Sequence, residues 1–129
     1  MFLDASAVVA ILAGEDDSDV LLDRIDAATT TLHTSPVAMM ESVLGLRRAR
    51  GISIHDAEML VHEFMSALRV RQIPITPEIG VHALRAYERY GKPNPARLNM
   101  GDCFAYGCAK GHDLPLLYKG DDFSRTDRG

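Results

Sequence analysis

The stretch "LLYKGDDF", residues 116–123, joins an apolar run to two adjacent aspartates. The apolar run is typical of a buried β-strand, and Lys119 and Gly120 end it. Adjacent carboxylates repel each other, and a turn needs only one of them. The pair Asp121 and Asp122 therefore suggests that an acid at the end of this strand has a chemical role.

Outward from this stretch, short apolar runs alternate with helical patterns along the whole chain. Strands are predicted at residues 2–3, 29–34 ("TTTLHT"), 73–75 ("IPI") and 114–118 ("LPLLY"). Helices are predicted at residues 5–13, 18–28, about 36–50, 54–68, 77–90 and 102–110. This alternation predicts an α/β domain with a mostly parallel sheet of about four strands and helices on both faces.

Composition limits the classes of protein to consider. The 129 residues, 47% of them hydrophobic, suffice for one domain with its own core, and no internal boundary divides residues 1–129. The opening residues lack a basic region and are too short an apolar run to cross a bilayer, so we expect no membrane association. Cys103 and Cys108 are predicted to be buried thiols, which suits a reducing cytoplasm.

Four acids occupy equivalent places in this pattern. Asp4 ends the first strand, and Glu41 lies in the first two turns of the helix after residues 29–34. Asp102 begins a helix, and Asp121 follows the last strand. Active sites of such folds lie beyond the carboxyl ends of the strands, so we expect these acids to meet there. Clustered carboxylates repel unless a cation lies among them, and oxygen ligands suit Mg²⁺ or Mn²⁺.

Each acid also has an ordinary structural interpretation. Asp4 can cap the helix that follows it, and Asp102 can complement a helix N-terminus. Glu41 can be an exposed helical residue, although its neighbours are apolar. Asp121 and Asp122 can be turn residues. Only their joint placement favours a site for metal-assisted hydrolysis, in which a cation lowers the pKa of water and offsets phosphoryl charge. The net charge of −4 is compatible with such a nuclease, although not with non-specific coating of nucleic acid.

Four segments of the chain resemble those of PIN-domain ribonucleases, specifically the VapC-type toxins of bacterial type II toxin–antitoxin pairs. They are "FLDASAVVAIL", "SPVAMMES", "RLNMGDCFAYGCAKGHDLPLLYKGDDF" and "FSRTD". The resemblance covers nearly the whole chain and implies a three-layer α/β/α fold. It also implies a Mg²⁺- or Mn²⁺-dependent endoribonuclease that cuts a structured RNA such as tRNA or rRNA.

The resemblance implies roles for individual residues. Asp4 and Asp102 would bind the metal most directly. Glu41 and Asp121 would complete its shell, bind a second ion, or orient and deprotonate the attacking water. Ser6 would orient Asp4 or that water, if it is not simply a hydroxyl of the first helical turn.

Other expectations concern neighbouring residues and partners. Asp122 is expected to point away from the cluster, capping the next turn or supporting the site as a second acceptor. The resemblance also allows Asp121 and Asp122 to exchange these roles. Arg47 and Arg48 complement a helix dipole but are also candidates for RNA phosphate contacts, as is Lys119. The resemblance further implies a homodimer and a cognate VapB-type antitoxin that blocks the site with a basic side chain.

Two alternatives compete with the nuclease. A receiver-type phosphoacceptor domain needs an acceptor aspartate after a middle strand and a lysine at the end of the last. Lys119 is compatible with it, but Asp56 lies at a helix start. A catalytically inactive PIN-like interaction module is the other alternative, and four intact acids argue against it.

Overall fold

The computed structural model describes residues 1–129, with four short strands and six helices in regular alternation. The strands are β1 (Phe2–Leu3), β2 (His33–Thr34), β3 (Arg71–Gln72) and β4 (Leu116–Leu117). The helices are α1 (Ala5–Leu12), α2 (Ser18–Asp26), α3 (Pro36–Arg50), α4 (Ile54–Ala67), α5 (Pro77–Tyr90) and α6 (Met100–Gly111). No helix is both long enough and apolar enough to cross a membrane.

The four strands form one parallel sheet in the order β3-β2-β1-β4. Phe2 on β1 lies opposite His33 on β2 and Leu116 on β4. Since every strand runs in the same direction, their carboxyl ends share one edge of the sheet. This confirms the predicted parallel α/β fold.

Alternate residues of the central strands face opposite sides of the sheet. Phe2 and Leu116 are buried in one core with residues of α5 and α6. Leu3 and Leu117 are buried in a second core with residues of α1 to α4. Since a strand points successive side chains to opposite faces, two residues per strand suffice to join both layers. This arrangement confirms the predicted three-layer α/β/α architecture.

The third strand was predicted at the wrong place. The structure has β3 at Arg71–Gln72 rather than at residues 73–75. Ile73 still donates its N–H to the Thr34 carbonyl at 2.7 Å, but Pro74 has no N–H with which to continue the ladder. β2 is also shorter than the predicted strand, because β1 offers only two residues for pairing before Asp4 caps α1.

Helix starts agree closely with the sequence. The hydroxyls of Ser35, Ser53 and Thr76 accept the N–H three residues on, capping α3, α4 and α5. α6 begins at Met100 with Asn99 as its N-cap, slightly before the predicted start. The buried thiols of Cys103 and Cys108 are free, as predicted.

Candidate active site

A pocket at the carboxyl edge of the sheet is lined by three of the four predicted acids. Asp4, Glu41 and Asp102 face it from α1, α3 and α6. Ser6, Arg48 and Lys119 line the same pocket, and so does Glu15, which was not predicted. We call this the acid pocket. Acids that are distant in sequence thus meet where the parallel topology predicted.

Asp4 is both the cap of α1 and a member of the acid pocket. Its Oδ2 accepts the Ser6 N–H at 3.0 Å and the Ser6 hydroxyl at 2.5 Å. The side chain is buried, and burial raises the pKa of the carboxyl group against the opposing effect of these hydrogen bonds. Because both Ser6 donors use the same oxygen, no side chain donates to Oδ1.

Ser6 links two sides of the acid pocket. Its Oγ donates to Asp4 and accepts the backbone N–H of Lys119 at 3.0 Å. The end of β4 is therefore tied to the start of α1 through one hydroxyl. This contact supports the predicted orienting role for Ser6. A hydroxyl that served only the first helical turn would not also bind the chain after β4.

Glu41 approaches α6 at its first turn. A Cβ at residue 101 would collide with the Glu41 carboxylate, so only glycine allows this approach. Burial is the main cause that raises the pKa of Glu41, and the charge of Asp4 raises it further. The carboxyl group is thus held partly out of water beside other acids.

Asp102 combines a capping box with a strongly perturbed carboxyl group. Its Oδ2 accepts the Asn99 N–H at 3.1 Å, while its own N–H donates to Asn99 Oδ1 at 2.9 Å. The pKa of Asp102 is raised to about 7, mainly by burial, although the hydrogen bond from Asn99 opposes the shift. The charges of three other acids raise it further, namely Asp4, Asp122 and Glu41.

Neither of the two adjacent aspartates lines the acid pocket, so the role of Asp121 as the fourth acid stays a prediction. Burial is the main cause that raises the pKa of Asp4 and Asp102, and the charge of Asp122 is a smaller cause at both. Gly120 has a φ of 91°, so the chain turns sharply between Lys119 and the two aspartates. Asp121 begins the next turn, where its carbonyl accepts the Ser124 N–H at 3.1 Å.

The predicted basic residues occupy different surroundings. Lys119 Nζ lies 2.6 Å from Glu15 Oε2 and 3.7 Å from Asp17 Oδ1, and the hydrogen bond to Glu15 raises the pKa of the lysine. Arg48 lines the acid pocket, whereas Arg47 is exposed outside it.

Glu15 of the acid pocket was not predicted, because its place beside Lys119 depends on tertiary contact. The acidic run "GEDD" at residues 14–17 is the one signal in the sequence that could have indicated it.

The donors of the acid pocket suit a hard divalent cation. As they stand, no three His, Cys, Asp or Glu side chains are arranged closely enough to coordinate an ion. The four lining acids nevertheless offer only carboxylate oxygens. Burial raises the pKa of Asp4, Glu41 and Asp102, and repulsion from other acids raises it further. A cation such as Mg²⁺ relieves this repulsion, so the donor set fits one.

A sequence model of the PIN-domain family matches residues 1–129. The chain belongs to the PIN-domain family. It is 43% identical over 140 residues to a VapC ribonuclease of Rhizobium meliloti, with 99% of both proteins covered. It is 31% identical over 129 residues to ribonuclease VapC42 of Mycobacterium tuberculosis, covering 98% of this chain and 95% of that protein.

Solved PIN-type toxins share the fold at low sequence identity. VapC20 of Mycobacterium tuberculosis, described as a toxin that cleaves the sarcin–ricin loop, superposes with a TM-score of 0.76 at 18% identity. That match covers 99% of this chain and 95% of VapC20. A toxin–antitoxin complex from Klebsiella pneumoniae gives 0.72 at 16% identity, covering 98% of this chain and 92% of that one.

Full-length similarity to VapC ribonucleases identifies the activity. This PIN-domain chain is an endoribonuclease toxin of the VapC type. Family membership excludes the receiver-type phosphoacceptor. Asp56 already argued against it, because this residue lies at a helix start rather than after a strand.

Proposed function

We propose that the chain hydrolyses phosphodiester bonds in a structured RNA, such as tRNA or rRNA, with a Mg²⁺ or Mn²⁺ ion held in the acid pocket. The observation that carries this proposal is the meeting of Asp4, Glu41 and Asp102 at one edge of the sheet, each with a raised pKa. Such like-charged clusters are found where a cation or a proton is part of the chemistry.

Asp4 and Asp102 are the proposed direct ligands. In each residue, Oδ2 is held by local donors, namely Ser6 for Asp4 and Asn99 for Asp102. These hydrogen bonds fix the orientation of the carboxylate while the other oxygen remains available for a cation. The bound ion supplies positive charge against the phosphoryl group and acidifies an attacking water molecule.

Glu41 and Asp122 complete the proposed set of acids. Glu41 is partly buried beside Gly101, with its carboxylate at the start of α6. We assign it to orienting the water and accepting its proton, for which a raised pKa is suitable. Asp122 replaces Asp121 as the fourth acid because its charge is felt at both proposed ligands.

Arg48 and Lys119 are the proposed phosphate contacts at the rim. Both line the acid pocket, and so they lie where the RNA backbone must pass to reach the acids. Arg47 precedes Arg48 on α3 and is exposed outside the acid pocket, so we propose it only as a more distant phosphate contact. Basic side chains of this kind position a nucleic acid without reading its sequence.

We also propose two protein partners. A VapB-type antitoxin would cover the acid pocket with a basic side chain, which the excess of carboxylates there favours. A second copy of the chain would cover the apolar surface between α5 and α6, where Leu84, Tyr87 and Met100 are exposed by 58%, 52% and 75%. The molar mass in solution, measured by light scattering, tests the homodimer.

The site of action we propose is the cytoplasm. Two free buried thiols suit a reducing compartment, and structured cellular RNA is found there.

Cleavage of total RNA by the purified chain tests the proposed chemistry. With Mg²⁺ or Mn²⁺, wild type should cut, and Asp102→Asn should lose at least about 100-fold in rate, because a charge beside the reacting phosphate is removed. Asp122→Asn should lose about 10-fold, as expected for a supporting acid. Asp121→Asn should stay close to wild type.

Glu88→Gln is the matched control, because it removes an exposed carboxylate of an Arg85 ion pair on α5. Equal RNA patterns from wild type and Asp102→Asn would refute the proposed site. Full activity in EDTA would refute metal dependence while leaving the ribonuclease assignment intact.

A further inference from the structure

The segment after β4, residues 118–129, contains no helix or strand, yet it carries Asp122. We call it the post-β4 segment. An acid on irregular chain needs fixed attachments if it is to keep its place relative to other acids. Three attachments follow Asp122, at Phe123, at Asp127 and at Arg128, whose guanidinium contacts Asp113 and the Leu114 carbonyl.

Phe123 is the first attachment. Its side chain is only 1% exposed and packs in the core shared with α5 and α6. The ring meets Tyr118 edge to face, with centroids 5.2 Å apart. This single anchor fixes where the chain enters the core, but rotation about it still changes the direction of the neighbouring turn.

Asp127 is the second attachment and the more specific one. Its Oδ1 accepts the hydroxyl of Tyr106, and that of Tyr90 at 3.4 Å, while its Oδ2 accepts Lys110 Nζ at 3.2 Å. The two tyrosines are themselves buried, and their rings meet edge to face at 5.6 Å. Two buried hydroxyls therefore converge on one carboxylate, which we call the tyrosine clamp.

Turns connect the clamp to the acid. Thr126 donates its N–H at 3.0 Å and its hydroxyl at 2.8 Å to the Phe123 carbonyl. Ser124 donates its N–H to the Asp121 carbonyl at 3.1 Å. These overlapping turns make residues 121–126 a compact unit, so a displacement at Asp127 is transmitted to Asp122.

One face of α6 carries both Asp102 and two of the residues that hold Asp127. Asp102, Tyr106 and Lys110 are spaced by four residues on α6, which places them on the same face. Asp127 binds the second and third of these residues, and the charge of Asp122 acts on the first. The post-β4 segment therefore runs back along α6 towards the acid pocket.

We propose that Asp127, held by Tyr90, Tyr106 and Lys110, is a positioning residue that sets the place of Asp122 relative to Asp102 at the start of α6. Tyr106 and Lys110 belong to the same helix as Asp102, whereas Tyr90 ends α5, so α6 relates the place of Asp127 to that of Asp102. This inference rests on the proposed role of Asp122 as the fourth acid.

Double-variant kinetics test the inference. Asp127→Asn and Tyr106→Phe weaken the same hydrogen bond from opposite sides, so each should lower kcat by about 10-fold and leave KM within about twofold. In an Asp122→Asn background, neither should lower kcat further, since the residue through which they act is gone. Asp113→Asn is the control, because it removes only the exposed ion pair of Arg128 in the same segment.

A binding measurement supplies a second readout. Mn²⁺ titrated calorimetrically into each variant should bind more weakly to Asp127→Asn and to Asp122→Asn by the same factor. Hydrogen exchange of the amides of residues 119–126 should accelerate in Asp127→Asn but not in Asp113→Asn. If Asp127→Asn does not fold, Tyr106→Phe carries the same test with a smaller perturbation.

The outcomes separate the inference from its premise. An Asp122→Asn variant that loses about 10-fold in rate, beside fully active clamp variants, would overturn the positioning role alone. Losses that multiply in the double variants would also overturn it, because Asp127 would then act elsewhere. A fully active Asp122→Asn would remove the fourth acid itself, and the inference with it.

Discussion

At the residue scale, the structural and chemical roles of the acids are compatible because a carboxylate has two oxygens. Asp4 caps α1 and Asp102 closes a capping box, and both do so through Oδ2 alone. The hydrogen bonds that end a helix also hold each carboxylate in one orientation. Helix capping and a role in the site, the two interpretations of these acids in the sequence, are therefore compatible. The hydrogen bonds of the caps also orient the carboxylates of the site.

A substitution at Gly101 tests how closely Glu41 must be placed. A Cβ added at residue 101 would collide with the Glu41 carboxylate, which is the end of a flexible side chain. The fold should therefore survive Gly101→Ala while the Glu41 carboxylate moves. A misplacement near 1 Å costs about 100-fold in rate, and we expect a loss of kcat of that order. The measurement is RNA cleavage beside a thermal melt.

Gly80→Ala is the matched control for this substitution. A Cβ at residue 80 meets nothing within 4 Å, and alanine should stabilise α5 by about 0.5–1 kcal/mol with unchanged activity. Wild-type activity in Gly101→Ala would show that Glu41 tolerates displacement, which its proposed role does not allow.

The fourth acid shows what residue patterns miss. The pair Asp121 and Asp122 was recognised as a strand-end feature, but the choice between them depends on one dihedral angle. Gly120 adopts a φ of 91°, which glycine permits and does not require. Local sequence therefore located an acidic pair at the end of β4, and our choice of Asp122 within that pair is a proposal that the two Asp→Asn substitutions test.

At the scale of elements, capping residues were the most informative signals. Ser35, Ser53 and Thr76 marked helix starts that the structure reproduces, because a side-chain cap is a local interaction. Strand limits were less predictable, since the length of β2 and β3 depends on partners distant in sequence. The "IPI" run was apolar enough for a strand, but its proline removes the necessary donor.

The cap of α3 should matter more to activity than the cap of α4. Ser35 is buried, and its Oγ accepts the Ala38 N–H at 3.1 Å, so Ser35→Ala should cost about 1–2 kcal/mol of unfolding free energy. Since α3 carries Glu41 in its second turn, fraying of the first turn should also lower kcat. Urea unfolding and RNA cleavage measure the two effects.

Ser53→Ala provides the comparison. Its Oγ caps α4 in the same way, accepting the Asp56 N–H at 3.0 Å, but that helix carries no acid of the site. We expect a loss of about 0.5–1 kcal/mol with unchanged kcat. Equal effects of the two substitutions on kcat would mean that stability alone limits activity in the assay.

At the scale of the whole molecule, the acid pocket opposes folding when no cation is bound. Asp102 has a pKa of about 7 in the folded chain, against an ordinary value of 3.8. The folded state therefore holds more protons than the unfolded state between these values, and stability falls as pH rises through that window. The pKa values of Asp4 and Glu41 are raised as well, so their contributions have the same sign.

Thermal melts with and without metal should show this linkage. In EDTA, the melting temperature should be lower at pH 8 than at pH 5, and the difference should be smaller for Asp102→Asn, which cannot titrate there. Mg²⁺ binds the ionised carboxylates of the folded state, so it should raise the melting temperature more at pH 8 than at pH 5. If wild type and Asp102→Asn respond alike to pH and to Mg²⁺, the acids do not share a cation, and the carboxylates at this edge only cap helices.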